Sequence, residues 1–175
     1  LDYIEDRDLW RHALPHAAEV QAWMRVYPTT METIDHLVKA MQNGVVDGFG
    51  RPASFVQTGT SLLSYRRLII AAAAKDAMPV WIAGIEGRMV NFGVNELYSE
   101  VAEEVSKGFA FGLAWRLHDN GDVYLSFRGE KAADVAKSLG GGGHQHAAGA
   151  RMSMDDFYQR MLILVIEKTR TGARP

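Results

Sequence analysis

This chain of 175 residues contains no cysteine, so disulfide bonds, thiol nucleophiles and thiolate zinc sites are all excluded. It also lacks a long hydrophobic run. The longest strongly apolar stretch, residues 68–74, has seven residues, whereas a helix that spans a membrane needs about twenty. The sequence does not open with a basic and apolar leader, and secretion is therefore not predicted. Together these absences favour a cytoplasmic location and no membrane partner.

An excess of one charge is absent as well. The 19 lysines and arginines are nearly balanced by 21 aspartates and glutamates, which gives a formal net charge of -2. A strongly basic surface that would wrap a long nucleic acid independently of its sequence is therefore not expected. A local basic pocket for a small anion stays compatible with this balance.

Common catalytic and nucleotide-binding motifs are also missing. The sequence has no Gly-x-Gly-x-x-Gly, no phosphate-binding loop that ends in Lys-Ser/Thr, no His-Glu-x-x-His and no Gly-x-Ser-x-Gly. His144 and His146 have the spacing of a metal-binding pair on extended backbone, but no carboxylate nearby in sequence supports one. The acidic opening, residues 2–8, is better explained as a solvated helix start than as a cation site. No metal ligands are predicted in this chain.

The hydrophobic periodicity predicts helices in the first half of the chain and a mixed α/β layer in the second. Helices are predicted around Val20 to Tyr27, where Pro28 interrupts the pattern, and at residues 31–41, 60–76, 97–107, 131–139 and 154–168. Strands are predicted at residues 79–84, 88–94, 109–117 and 123–127, with turns at 86–87 and 119–122.

This order of elements predicts an α/β fold, with a mixed β-sheet of about five strands flanked by helices and preceded by a helical connecting segment. The predicted domains are a connecting segment, residues 1–77, and an α/β domain, residues 78–175. Residues 47–52 are rich in glycine and end in a proline, so they are a candidate linker.

Four consecutive glycines and a histidine, Gly140 to His144, form the most informative local feature. Glycine loses more conformational freedom on folding than other residues, so such a run needs a use, for instance a tight turn whose N–H groups bind an anion. Flexible linkers usually carry Ser, Pro and charge, whereas this run leads into the apolar segment 147–150. We therefore interpret it as a binding loop, with further free N–H groups if residues 147–149 open a helical turn.

Ser126 and Arg128 lie two residues apart near the end of a predicted strand, so both side chains point to the same face. The planar guanidinium suits bidentate contact with a phosphate, and the serine hydroxyl supplies one more donor. A solvated arginine on an edge strand is the alternative. The order of strand, short helix and glycine run could bring the strand end with Ser126 and Arg128 and the glycine run to one pocket.

Several segments together resemble the signature of the DHH-associated C-terminal domain. They are Ser126-Phe127-Arg128, Asp134-Val135-Ala136, Leu139-Gly140-Gly141-Gly142-Gly143-His144 and Ala147-Ala148-Gly149. The resemblance covers residues 79–168, and residues 3–10 are similar to the segment that follows the catalytic domain in one branch of the DHH phosphoesterases. These enzymes include exonucleases, oligoribonucleases, cyclic-dinucleotide phosphodiesterases and exopolyphosphatase-like proteins.

The resemblance implies that this chain binds the phosphate-containing end of a nucleotide or short oligonucleotide. The residues implied in substrate binding are Ser126, Arg128, Gly141, Gly142, Gly143 and His144. In the family, an N-terminal domain with an Asp-His-His motif holds two Mn²⁺ or Mg²⁺ ions, and this chain has no such triplet. We therefore expect a missing catalytic domain before Leu1, no catalytic residue or cofactor in this chain, and no hydrolase activity of the chain by itself.

Two other functions stay open at this point. A domain of the same type occurs at the C-terminus of alanyl-tRNA synthetases, where it serves in RNA binding and association. A long coiled-coil helix would favour that interpretation, and the breaks at Pro28 and Gly44 speak against it. In the other alternative, the chain is a homodimerisation unit, and the glycines only permit close packing.

Overall fold

The computed structural model describes residues 5, 13, 14, 16–26, 30–32, 35, 39, 45, 46, 52, 53 and 55–162. The chain divides into two compact units, Leu1–Leu68 and Ile69–Pro175. Most of the predicted second helix, the acidic opening, residues 47–51 of the candidate linker and the end of the C-terminal helix lie outside the described residues. In the described part, no helix is both long and apolar enough to cross a membrane.

The first unit contains a helix, a short antiparallel ladder and the beginning of a long helix. These elements are α1 Ala17–Met24, β1 Val45–Val46, β2 Pro52–Ala53 and α2 Phe55–Lys75. Val20 and Trp23 of α1 are buried, in agreement with the predicted helical spacing. Helix α2 begins at Phe55, earlier than the predicted residue 60, and the Thr60 hydroxyl donates to the Val56 carbonyl one turn back, as inside a helix.

The second unit is built on a six-stranded sheet in the order β3-β4-β5-β6-β8-β7. Its strands are β3 Met78–Ile82, β4 Ile85–Asn91, β5 Gly112–Leu117, β6 Asp122–Arg128, β7 Gly142–His144 and β8 Ala147–Ser153. The β4 and β5 strands are parallel, and the other neighbouring pairs are antiparallel. The predicted α/β class with a mixed sheet and flanking helices is therefore confirmed.

Helices of the second unit cover both faces of this sheet. They are α3 Tyr98–Ser106, which follows a 3₁₀ turn at Asn95–Leu97, then α4 Ala132–Ser138 and α5 Met154–Phe157, which continues as a π-helical turn at Tyr158–Leu162. One face of β6 presents Val123, Leu125 and Phe127 to a core that also contains Val135 of α4 and Phe157 of α5. The other face packs beneath α3, where Ala114 of β5 is buried together with Val101 and Ala102.

The first hairpin of the sheet turns at a different place from the predicted one. Residues 86–87 lie inside β4, so that prediction is wrong, and the turn is formed by Ala83 and Gly84 with φ values of 51° and 78°. Two residues with positive φ match the twist of a two-residue hairpin. Gly87 is a glycine for another reason, because an added Cβ would lie 2.6 Å from the Phe111 ring.

The second hairpin turns where the sequence predicted it. Strands β5 and β6 pair in antiparallel register up to Leu117 and Val123, and the turn at residues 119–122 follows. Gly121 has a φ of 82°, and the Asn120 side-chain oxygen accepts the N–H of Asp122 at 3.0 Å. The Asn-Gly signal is local, and the structure confirms it.

Helix α3 lies directly on β5 at its C-terminal end. An added Cβ at Gly112 would clash with the backbone of Ala102 and Ser106, so a side chain at this position would push the helix off the sheet. At its other end, the Tyr98 hydroxyl donates to the carbonyl oxygen of Tyr124 on β6. Helix α3 therefore runs along the same face of the sheet as Ser126.

The half-buried Tyr98 makes the stability of the protein depend on pH in the alkaline range. Burial raises the pKa of Tyr98 above its ordinary value of 10.0, although nearby Arg116 acts in the opposite direction. Because the unfolded tyrosine loses its proton first, the free energy of unfolding should fall as the pH rises above 10.0. Tyr98→Phe should cost about 1 kcal/mol at pH 7 through the lost hydrogen bond, and this deficit should shrink above pH 10.0.

Urea unfolding of both proteins across this pH range measures the effect. The structural account of Tyr98 would be wrong if the two stability curves stayed parallel.

Candidate functional site

Ser126 and Arg128 lie together on β6, as their spacing predicted. The Nη1 atom of Arg128 is 3.3 Å from the Ser126 hydroxyl oxygen and donates to the Phe127 carbonyl at 2.8 Å. Ser126 is buried, with 7% of its surface exposed, and Arg128 is half-buried. The hydrogen bond to the Phe127 carbonyl holds the Arg128 guanidinium beside the Ser126 hydroxyl, so both groups can contact the same ligand on this face.

The partial burial of Arg128 destabilises the charged form of its guanidinium. Burial lowers the pKa of Arg128, and the negative charge of Glu103 on α3 partly offsets this shift. Among the residues that the structure describes, no carboxylate lies within ion-pairing distance of Arg128. A half-buried cation without a direct ion pair is stabilised when an anion binds to it.

The glycine run does not form the binding loop that we predicted. Gly142–His144 form β7, the edge strand of the sheet, which pairs with β8. Residues 147–149 begin β8 and do not open a helical turn, so the predicted set of free helical N–H groups is wrong. The cause is the pairing of both segments, since β8 lies between β7 and β6 and its backbone groups are needed in the two ladders.

Strand register brings His144 onto the row of Arg128. Arg128 is paired with Ala147 of β8, and Ala147 is paired with His144 of β7. Directly paired residues in antiparallel strands have their side chains on the same face. Arg128 and His144 therefore share one face, separated by two strand spacings, or roughly 10 Å between backbones. His144 is exposed.

A second row, next to the first, contains the smallest residues of this face. Ser126 is paired with Gly149, and Gly149 is paired with Gly142. An added Cβ at Gly142 would meet nothing within 4 Å among the described residues. The face between Arg128 and His144 is therefore bordered by open backbone, which lets a ligand approach the strands closely.

The other two glycines of the candidate site are required by packing. An added Cβ at Gly141 would clash with the backbone of Gly149 and lie 2.6 Å from the Ala150 Cβ, and one at Gly143 would lie 2.6 Å from the Ala148 Cα. The Gly141 N–H donates to a carbonyl of α4 at 2.8 Å, so this donor is used within the protein. Of the three glycines, Gly142 is the one whose missing side chain leaves the shared face open.

Sequence reasoning missed the part that Ala147 and Gly149 play in this arrangement. The sequence analysis considered a helical turn at residues 147–149, whereas Ala147 and Gly149 are the strand residues that align His144 with Arg128 and Gly142 with Ser126. The available signal was the unbroken run of small residues along 147–150, which suits an extended strand between two neighbours.

The described residues do not fit the divalent metal that the DHH resemblance implies for the catalytic domain. Among them, no group of three or more His, Asp or Glu side chains could hold a metal ion. The face around Arg128 carries donors and positive charge, which suits an anion. We therefore derive no metal-dependent step from these residues.

Comparison with known proteins supports the fold. No protein-family model matches the chain, and no curated protein matches it in sequence. A solved structure of the pGpG-specific phosphodiesterase PggH from Vibrio cholerae is similar, with a TM-score of 0.50 and 8% sequence identity over 88% of this chain. An uncharacterized protein from Helicobacter pylori gives a TM-score of 0.34 and 14% identity over 78% of this chain.

The chain spans 58% of the length of the phosphodiesterase and 40% of the length of the Helicobacter protein. At this level of identity, the similarity to the phosphodiesterase shows a shared fold. Substrate and activity need an argument from the site itself.

Proposed function

We propose that this chain is the substrate-binding part of a metal-dependent phosphoesterase and binds the terminal phosphate of a nucleotide or short oligonucleotide. The observation that carries the proposal is the common face of Ser126, Arg128, Gly142 and His144 across three paired strands. The structural similarity to a phosphodiesterase supports the same class of ligand, a phosphate-containing nucleotide.

Each side chain of this face has a definite part in the proposed binding. Arg128 supplies the charge and two or more donors to the phosphate oxygens, and the Ser126 hydroxyl orients one oxygen. His144 donates from the edge strand, and the open backbone at Gly142 lets the ligand lie close to the sheet. These groups bind and orient a phosphate, and bond cleavage belongs to a catalytic DHH domain outside residues 1–175.

In the same proposal, residues 1–77 connect the catalytic domain to the α/β domain, residues 78–175. The chain by itself is then inactive. Incubation of the purified chain with Mn²⁺ and a short oligonucleotide should give no hydrolysis, and a turnover that survives repurification would contradict the assignment of catalysis to another domain.

Binding of a 5′-mononucleotide, measured by calorimetry, tests the proposed function directly. The matching nucleoside, which lacks the phosphate, should bind far more weakly. His144→Ala should weaken mononucleotide binding by about fivefold, the effect of losing one hydrogen bond. His146→Ala is the matched control, because His146 is also exposed but lies in the turn between β7 and β8.

Equal binding of nucleoside and nucleotide would contradict a phosphate site on this face. No binding of either ligand, together with dimerisation that depends on concentration, would favour a homodimerisation unit.

A further inference from the structure

A row of two arginines and a tyrosine lies on the same face as the proposed phosphate site. Arg116 of β5 is paired with Tyr124 of β6, and Tyr124 is paired with Arg151 of β8. Tyr124 precedes Ser126 by two residues and Arg128 by four, so all three side chains of β6 point to one side of the sheet.

Arg116 is held between aromatic rings. Its guanidinium carbon lies 5.6 Å from the Tyr98 ring centre and 5.9 Å from the Tyr124 ring centre, and Arg116 is half-buried. Its Nε atom is buried without a hydrogen-bond partner, and no carboxylate in the described part of the chain pairs with it. In addition to Arg128, Arg116 is therefore a second cation on this face that lacks a direct anionic partner among the described residues.

Arg151 lies at the exposed end of this row. The Arg151 side chain is 62% exposed, and its Nε atom lies 3.5 Å from the Asp122 carboxylate. A hydrogen bond with the Tyr124 hydroxyl and the charge of Asp122 raise the pKa of Arg151. These contacts hold the guanidinium beside the Tyr124 ring, while most of its surface stays accessible to a ligand.

Helix α3 lies along this face between its two positively charged ends, Arg128 at one end and the row of Arg116, Tyr124 and Arg151 at the other. Its Tyr98 contacts the Tyr124 end, and its Ser106 lies over Gly112, which is paired with Arg128. Arg128 follows Tyr124 by four positions along β6, which is about 13 Å at about 3.3 Å per residue. Between the two ends, Gly142 leaves the strand backbone open, and α3 borders the face on the other side.

We infer that the row of Arg116, Tyr124 and Arg151 binds the second nucleotide of a ligand whose terminal phosphate is bound at Arg128. The inference rests on the proposed function, and it specifies a ligand of at least two nucleotides. A mononucleotide bound at Arg128 would end over the glycines, whereas a second unit reaches the row. There a base stacks on the tyrosine ring and an arginine plane, and the arginines neutralise the phosphate between the two units.

Calorimetry with two ligands, a 5′-phosphorylated dinucleotide and the corresponding mononucleotide, tests this inference on the full chain. The dinucleotide should bind about tenfold more tightly than the mononucleotide, as expected for one added stacking contact. In Arg151→Ala the ratio of the two affinities should fall towards one. Tyr124→Leu, which keeps an apolar strand residue but removes the ring, should lower the same ratio.

Lys137→Ala is the matched control, because it also removes one positive charge but lies at the exposed end of α4, a helix that packs on the opposite face. It should leave the ratio unchanged. A dinucleotide advantage that survives in both Arg151→Ala and Tyr124→Leu, or equal affinities in the unaltered chain, would overturn the second subsite and leave the phosphate site standing. Absence of binding by both ligands would overturn the phosphate site and the second subsite together.

Discussion

Arg128→Ala should weaken the binding of a 5′-mononucleotide by about thirtyfold, or about 2 kcal/mol, the cost of removing a charged hydrogen-bonding group. The structure supports a large effect, because the guanidinium is half-buried beside the Ser126 hydroxyl and has no direct ion pair among the described residues. Its hydrogen bonds within the protein go to its own strand, so the substitution should remove ligand contacts with little loss of packing.

Salt dependence separates this effect from a general loss of structure. If Arg128 contacts the phosphate, the variant should show a smaller decrease in affinity with rising salt than the unaltered chain. Arg128→Lys should recover part of the affinity, because a lysine keeps the charge but not the planar fork. An unchanged affinity in Arg128→Ala, with the fold verified by circular dichroism, would remove this residue from the site.

Two neighbouring glycines, Gly141 just before β7 and Gly142 at its first position, should respond differently to the same substitution. Gly141→Ala should lower the free energy of unfolding by about 3 kcal/mol, because the added methyl group overpacks against the backbone of Gly149 and the Ala150 side chain. Gly142→Ala should change stability by less than about 0.5 kcal/mol, since its methyl group enters open space. That space is the proposed ligand face, so Gly142→Ala should weaken nucleotide binding.

Urea unfolding and calorimetry on the two variants measure stability and binding separately. Each glycine serves as the other's control, because both variants add one methyl group to the same glycine run. Equal stability of the two variants would contradict the close packing of Gly141 against β8. Full nucleotide affinity in Gly142→Ala would argue that the ligand does not lie over this strand.

Local signals were sufficient for some elements of the fold. The Asn120-Gly121 turn and helix α3 lie close to their predicted positions, because turn chemistry and helical spacing act over a few residues. The same reasoning misplaced the first turn at residues 86–87. Gly87 is a glycine because of the Phe111 ring, a contact with a distant part of the chain that no local pattern contains.

The candidate site was predicted in part. The common face of Ser126 and Arg128 follows from the alternation of side chains along one strand, and the structure places both side chains together. The glycine run was predicted to be a binding loop, but its close contacts are with β8 and α4 for Gly141 and with β8 for Gly143. A run of glycines can form either an edge strand or a loop, and pairing with a partner strand, here β8, determines which one forms.

The sequence by itself determined the α/β class of this protein, the absence of cysteine chemistry, and the pairing of a serine and an arginine on one strand face. Tertiary structure alone decided that His144 lies on the row of Arg128 and that Tyr124 lies between Arg116 and Arg151. The reason is strand register. A shift of one residue would move every side chain of a strand to the opposite face, and register depends on packing between segments that are far apart in sequence.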